Sequence, residues 1–231
     1  MTPPPMPATA PAAIVIGGSA GGVDALLTVL ADLPAAMRVP VICMLHMPAS
    51  RESRLAEVFA PRLPVPVREA VDKQVIDDAT VYFAGSGYHL SIEQDYSFSL
   101  SCEPPVHFAR PAIDVLMSSA ADVYGERLVG ILLTGANADG AAGMADIHAR
   151  GGFTIVQDPN EAQVATMPRA AIAACAPSRI LTLAQIGALL RVLTVPETAL
   201  VEPLRAIKNM QENMQANQAS PVEQTMKVER P

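Results

Sequence analysis

The chain has 231 residues, 50% hydrophobic and 17% charged, which is enough apolar material for a sizeable core and too much for a disordered chain. A formal net charge of -7 argues against a nucleic-acid partner, and no apolar run reaches the roughly 18 residues needed to span a bilayer. Three widely spaced cysteines, Cys43, Cys102 and Cys175, make neither a disulfide framework nor a zinc pattern. No basic residue precedes Arg38 to open a signal peptide, so a soluble cytoplasmic protein is expected.

Residues 1–11 are dominated by proline, which denies helix and sheet their N–H donors, and are expected to form a disordered tail. AAIVIGGSAGG is a short apolar run feeding a glycine turn, and DALLTVLADL continues at helical spacing; strand, turn and helix are predicted. VPVICMLH predicts a second buried strand, SRESRLAEVFAPRL a polar-faced helix and ATVYFAG a third strand. Alternation in YHLSIEQ and YSFSLSC around Asp95 predicts an antiparallel hairpin with one wet face. PAIDVLMSSAADVYG predicts a helix with Pro111 at its start. RLVGILLTG is the most hydrophobic strand, followed by the loop ANADGAAG and a helix to about His148. GGFTIVQD and SRILTL predict further strands, QVATMPRAAIAAC and AQIGALLRVL further helices.

Strands alternating with helices imply parallel βαβ units. The expected fold over residues 12–195 is α/β: a doubly wound, mostly parallel sheet with helices on both faces and an antiparallel hairpin. From Pro196 the chain turns polar, and Leu200, Leu204, Ile207, Met210 and Met214 recur at helical spacing. Residues 196–231 are expected to form an extension that is partly helical or disordered.

Ligands of open α/β sheets sit beyond the carboxyl ends of the strands. Three polar residues hold such positions: Ser19 after the first strand, His46 after the second and Asp139 after RLVGILLTG. Gly17-Gly18-Ser19-Ala20-Gly21 fits G-x-S-x-G, whose glycines let a tight turn push the hydroxyl out of the sheet; taken alone, a helix-capping serine in a glycine turn is the commoner meaning of the motif. His46 could exchange a proton with that hydroxyl or be a satisfied histidine at the edge of the core. Asp139 could orient the imidazole or cap the following helix. The chain order Ser, His, Asp differs from the Ser, Asp, His of α/β-hydrolases and excludes their ordinary fold. Ser19 stands where the dinucleotide fingerprint needs its second glycine, and no Gly-Lys-Ser/Thr follows the loop to make a phosphate-binding loop. His89, His107 and His148 lack metal-ligand spacing, so neither metal nor cofactor is expected.

IGGSAGG, the His-Met-Pro of LHMP, ARPAIDVLM, ILLTGANADGAAGM and MPRAAI together resemble the catalytic domain of chemotaxis protein-glutamate methylesterases, the CheB family, over residues 14–190. The resemblance implies hydrolysis of γ-glutamyl methyl esters on chemoreceptor cytoplasmic helices with release of methanol, and, as in many members, deamidation of receptor glutamines. It implies Ser19 as nucleophile, His46 as base and Asp139 as triad acid, with the Ala136 and Ala20 amides facing the oxyanion. Arg110, Pro111 and Asp114 match a segment near the family's active-site entrance. Methylated receptor helices and chemosensory signalling proteins are the implied partners, without nucleic acid or membrane insertion.

The family's usual G-M-G-x-D-G becomes Gly135-Ala136-Asn137-Ala138-Asp139-Gly140, and Ala112 replaces a serine. Asparagine tolerates positive φ best among non-glycine residues, so the turn is expected to survive. Typical members carry an N-terminal receiver domain that blocks the site until phosphorylated, whereas a proline-rich segment precedes the first strand here. Control by a partner or by the C-terminal segment is therefore expected. Two other readings accompany this one. The domain could be a non-catalytic binding module whose altered loop has lost the oxyanion hole, or a serine esterase of a small-molecule ester.

Overall fold

A computed structural model describes residues 6, 7, 9–47 and 53–195. Strand β1 (Ala13–Gly18) leads into helix α1 (Gly22–Leu30), then β2 (Val41–Leu45) and α2 (Leu55–Phe59). β3 (Val67–Glu69) and β4 (Val81–Phe83) precede the hairpin β5 (His89–Ile92) and β6 (Phe98–Ser101). The second half runs α3 (Ile113–Tyr124), β7 (Leu128–Leu132), α4 (Ala141–Ala149), β8 (Phe153–Gln157), α5 (Thr166–Ala174), β9 (Arg179–Leu181) and α6 (Leu183–Leu193).

Seven strands form one sheet in the order β3-β4-β2-β1-β7-β8-β9, and every pairing in it is parallel. The hairpin is a separate antiparallel sheet. Alternate side chains of the central strands divide the core in two, as the two-residue period of a strand demands. Ile14 and Ile16, with Val41, Cys43 and Leu45, join the layer under α1, α2 and α6. Ala13 and Val15, with Ile42 and Met44, join the layer under α3, α4, α5 and the hairpin. The doubly wound α/β architecture is therefore the one the alternation of elements predicts.

Local sequence explains several boundaries. Thr182 accepts the Gln185 amide while the Gln185 side chain accepts the Thr182 amide, a reciprocal cap that starts α6. Gly143 lets α4 lie against α3, because a Cβ there would come within 2.4 Å of the Met117 Cβ.

Four expectations need correction. The polar-faced helix over SRESRLAEVFAPRL is, among its described residues, only α2 followed by a 3-10 turn at Ala60–Arg62; Pro61 has no N–H to continue it. β3 was not expected, since three half-exposed residues are too few to show alternation. Helix α3 starts at Ile113 behind an extended Ala112, so Pro111 stands before the helix rather than in it. α5 begins at Thr166, later than its apolar pattern suggests, because Val164 is held by the loop after β7: its carbonyl accepts the Gly135 amide and its amide donates to the Thr134 hydroxyl. The described residues of the proline-rich segment carry no regular structure. The helix expected around Leu200, Leu204, Ile207, Met210 and Met214 lies outside the described residues.

Candidate active site

β1 is the central strand, flanked by β2 and β7, and chain direction is shared. The carboxyl ends of these three strands therefore open onto one rim. Backbone bonds knit the three loops together there. The His46 amide donates to the Gly18 carbonyl at 3.2 Å, and the Ser19 amide donates to the Thr134 carbonyl at 2.9 Å. Ser19, His46 and Asp139 thus lie beyond adjacent strand ends although 120 positions separate the first from the last.

Asp139 is fully buried and accepts three hydrogen bonds. His46 Nε2 is 2.6 Å from its Oδ2, which also accepts the Ile113 amide at 2.7 Å, while Oδ1 accepts the Asp114 amide at 2.9 Å. An ionised carboxylate offers only acceptors, so the imidazole proton in this bond sits on Nε2 and Nδ1 keeps its lone pair. Burial pushes the Asp139 carboxyl up, yet the His46 bond, the two amides and the imidazole charge outweigh it and hold the group below its ordinary value. The competing role as cap of α4 is not what the residue does: Gly140 is that N-cap, and Asp139 instead satisfies the first amides of α3.

Ser19 is likewise not a capping serine. The N-cap of α1 is Gly21, at φ 80°, a left-handed conformation that favours glycine, and no side chain caps the helix. Among the described residues the Ser19 hydroxyl makes no hydrogen bond, and neither the Ala20 nor the Ala136 amide has a protein acceptor. A hydroxyl and two donors are therefore uncommitted at the same rim as the His46–Asp139 pair.

A cleft of about 490 Å³ opens beside His46, lined also by Met47, Phe108, Arg110, Pro111 and Asn137. Arg110 and Pro111, expected near an active-site entrance, line this cleft. Arg110 donates through Nη1 alone to the Cys102 and Glu103 carbonyls at 3.0 and 3.1 Å, which ties it to its own loop. Asp114, expected with them, is buried behind that wall. Its Oδ1 accepts the Gly143 amide at 2.8 Å, and His107 Nε2 lies 3.4 Å from its Oδ2. Burial and the neighbouring Asp139 anion raise its carboxyl above the ordinary value against the opposing amides and His107.

Sequence reading missed three supports of this rim. The buried Gln157 side chain accepts the Thr134 amide at 2.8 Å. The Thr134 hydroxyl lies 2.9 Å from the Ala20 carbonyl and accepts the Val164 amide at 2.9 Å, tying the serine turn to the loop after β7. Buried His89 accepts the Ala112 amide and contacts the Pro104 carbonyl. Gln157 closes the apolar run of β8, a signal close to the one that marks Ser19 and His46. Among the described residues, no three His, Cys, Asp or Glu side chains are grouped to hold a metal, and no helix is long and apolar enough to cross a membrane.

A parallel α/β sheet with an imidazole–carboxylate pair and an uncommitted hydroxyl at one rim has the layout of a hydrolase domain. The CheB methylesterase family model matches residues 14–190, and the chain belongs to that family. A Leptospira interrogans protein provisionally named protein-glutamate methylesterase/protein-glutamine glutaminase is 42% identical over 177 residues, covering 77% of this chain and 92% of that one. The protein-glutamate methylesterase/protein-glutamine glutaminase of group 2 operon of Bradyrhizobium diazoefficiens is 37% identical over 188 residues, covering 80% of this chain and 47% of that protein. The crystal structure of the Thermotoga maritima CheB methylesterase catalytic domain matches with a TM-score of 0.75 at 27% identity, covering 80% of this chain and 100% of that one. The chain thus spans nearly all of the Leptospira protein and about half of the Bradyrhizobium one.

Proposed function

We propose that this protein is a protein-glutamate methylesterase that demethylates γ-glutamyl methyl esters on the cytoplasmic helices of chemoreceptors, and that it works in the cytoplasm. The observation that carries the reading is the 2.6 Å bond between His46 Nε2 and Asp139, which leaves the Nδ1 lone pair free at the rim that also carries the uncommitted Ser19 hydroxyl. Family membership and the names of the relatives support the ester as substrate.

Ser19 Oγ attacks the ester carbonyl as its proton passes to His46 Nδ1. Asp139, still ionised, stabilises the imidazolium. The oxyanion accepts from the Ala136 and Ala20 amides; loss of one such donor costs on the order of 3 kcal/mol in the transition state. Methoxide leaves with the proton from His46 as methanol. Water, deprotonated by His46, then attacks the acyl-enzyme, releasing glutamate and restoring Ser19. The same steps applied to a glutamine side chain release ammonia.

Methanol release from methylated receptor by Ser19→Ala and His46→Ala tests this, together with fluorophosphonate labelling of the wild type. Both variants should be inactive and the label should fall on Ser19; full turnover by either variant refutes the assignment. An unlabelled, inactive wild type would point to a binding module, and hydrolysis confined to simple esters to a small-molecule esterase.

A further inference from the structure

The loop 104–112 between the hairpin and α3 holds one side chain out into water. His89 clamps both ends, with Nδ1 accepting the Ala112 amide at 3.2 Å and Nε2 lying 3.1 Å from the Pro104 carbonyl. Between the clamps, Val106 and Ala109 exchange backbone hydrogen bonds of 3.1 and 2.8 Å around the two-residue turn His107-Phe108. Both turn residues have positive φ, 49° and 62°, as a type I′ turn requires and as large side chains rarely adopt. Phe108 at the tip is fully exposed, the most exposed large apolar side chain among the described residues. It lines the same cleft as His46.

An aromatic ring in water contributes nothing to the core, and its apolar surface is available only to something that docks. A γ-glutamyl ester extends only a few atoms from its backbone. For its carbonyl to reach the rim at His46, the helix that carries it must come down onto the mouth of the cleft, where Phe108 stands. A small free ester brings no helix to the mouth and has no flanking side chains to pack on the ring.

We infer that Phe108 is a specificity-determining anchor for the protein substrate, packing against apolar side chains of the receptor helix that flank the methylated glutamate. The inference rests on the methylesterase reading above and adds how that enzyme selects a protein over a free ester. The clamped loop presents the ring already positioned, so little freedom is lost on docking.

The test is steady-state methanol release from methylated receptor by the full chain, set beside the rate at which a small fluorophosphonate labels Ser19. Phe108→Ala should lower kcat/KM on receptor at least tenfold, chiefly through KM, while labelling slows by no more than twofold. Phe108→Leu, which keeps apolar surface, should recover much of the loss. Val71→Ala, an exposed apolar change outside the cleft lining, serves as the control. Receptor kinetics within twofold of wild type in Phe108→Ala, or labelling that falls in parallel with turnover, overturns the anchor alone. A wild type that releases no methanol from receptor overturns the methylesterase reading, and the anchor with it.

Discussion

Asp114 and Asp139 cap each other's helices: Asp139 accepts the Ile113 and Asp114 amides that open α3, and Asp114 accepts the Gly143 amide in the first turn of α4. Each carboxylate supplies acceptors that the helix's own N-cap residue, Ala112 or Gly140, lacks as a side chain. The loop that carries Asp139 is thus fastened from both directions.

Replacing Asp114 by Ala leaves the Gly143 amide buried without this acceptor. The expected loss is about 1–3 kcal/mol, or roughly 2–4 °C in Tm for each kcal/mol in a domain of this size. Asp114→Asn keeps one acceptor oxygen and should lose less. Thermal melts of both variants check this, and equal stability of Asp114→Ala and wild type would refute the reciprocal cap.

The two carboxylates give opposite pH dependences. The fold holds the Asp139 carboxyl below its ordinary value, so its contribution is complete at neutral pH and is lost as pH drops below about 4 and through the lower folded value. The Asp114 carboxyl is raised, chiefly by burial and also by the Asp139 anion. There the folded state takes up a proton before the unfolded chain does, so stability rises as pH falls from neutral through the raised value. Urea midpoints of wild type and Asp114→Asn should therefore diverge in favour of wild type as pH falls from neutral toward the ordinary carboxylate value of about 4. A constant difference would show that Asp114 does not titrate in this way.

Asp139→Asn should fold and still lose activity. An amide presents a donor as well as an acceptor, so the imidazole is no longer held with its proton on Nε2, and such tautomer errors cost about 10⁴ in kcat. Methanol release at saturating receptor measures this; a loss below tenfold would remove Asp139 from the proposed relay.

Thr134→Val keeps the shape of the side chain but removes its hydroxyl, leaving the partly buried Val164 amide and the Ala20 carbonyl without that partner. A destabilisation of about 1–3 kcal/mol is expected. Turnover should fall as well, since the Ala20 carbonyl belongs to the serine turn. Unfolding in urea and kcat on receptor are the readouts, and a change in stability with no change in kcat would separate this contact from the proposed chemistry.

The strand–helix alternation and the positions of Ser19, His46 and Asp139 were legible because each follows an apolar run directly, and a parallel sheet brings such ends to one side. Partners close in space and far along the chain were not legible. Asp114 looks like an entrance residue from its neighbours Arg110 and Pro111, but its carboxylate faces Gly143, which only folding brings near. The start of α3 was misread for the same reason, since the acceptor of its first amide is Asp139 and not an adjacent residue. His89 sits in an alternating strand and gives no sign in sequence that it clamps both ends of the loop 104–112.

β7 lies against β1 at the centre of the sheet, so Asp139 is synthesised well after the strands that lead to Ser19 and His46. A nascent chain halted before residue 139 has the serine and the imidazole but no carboxylate to orient them. On the proposed reading, no amino-terminal fragment that ends before Asp139 holds all three residues of the relay.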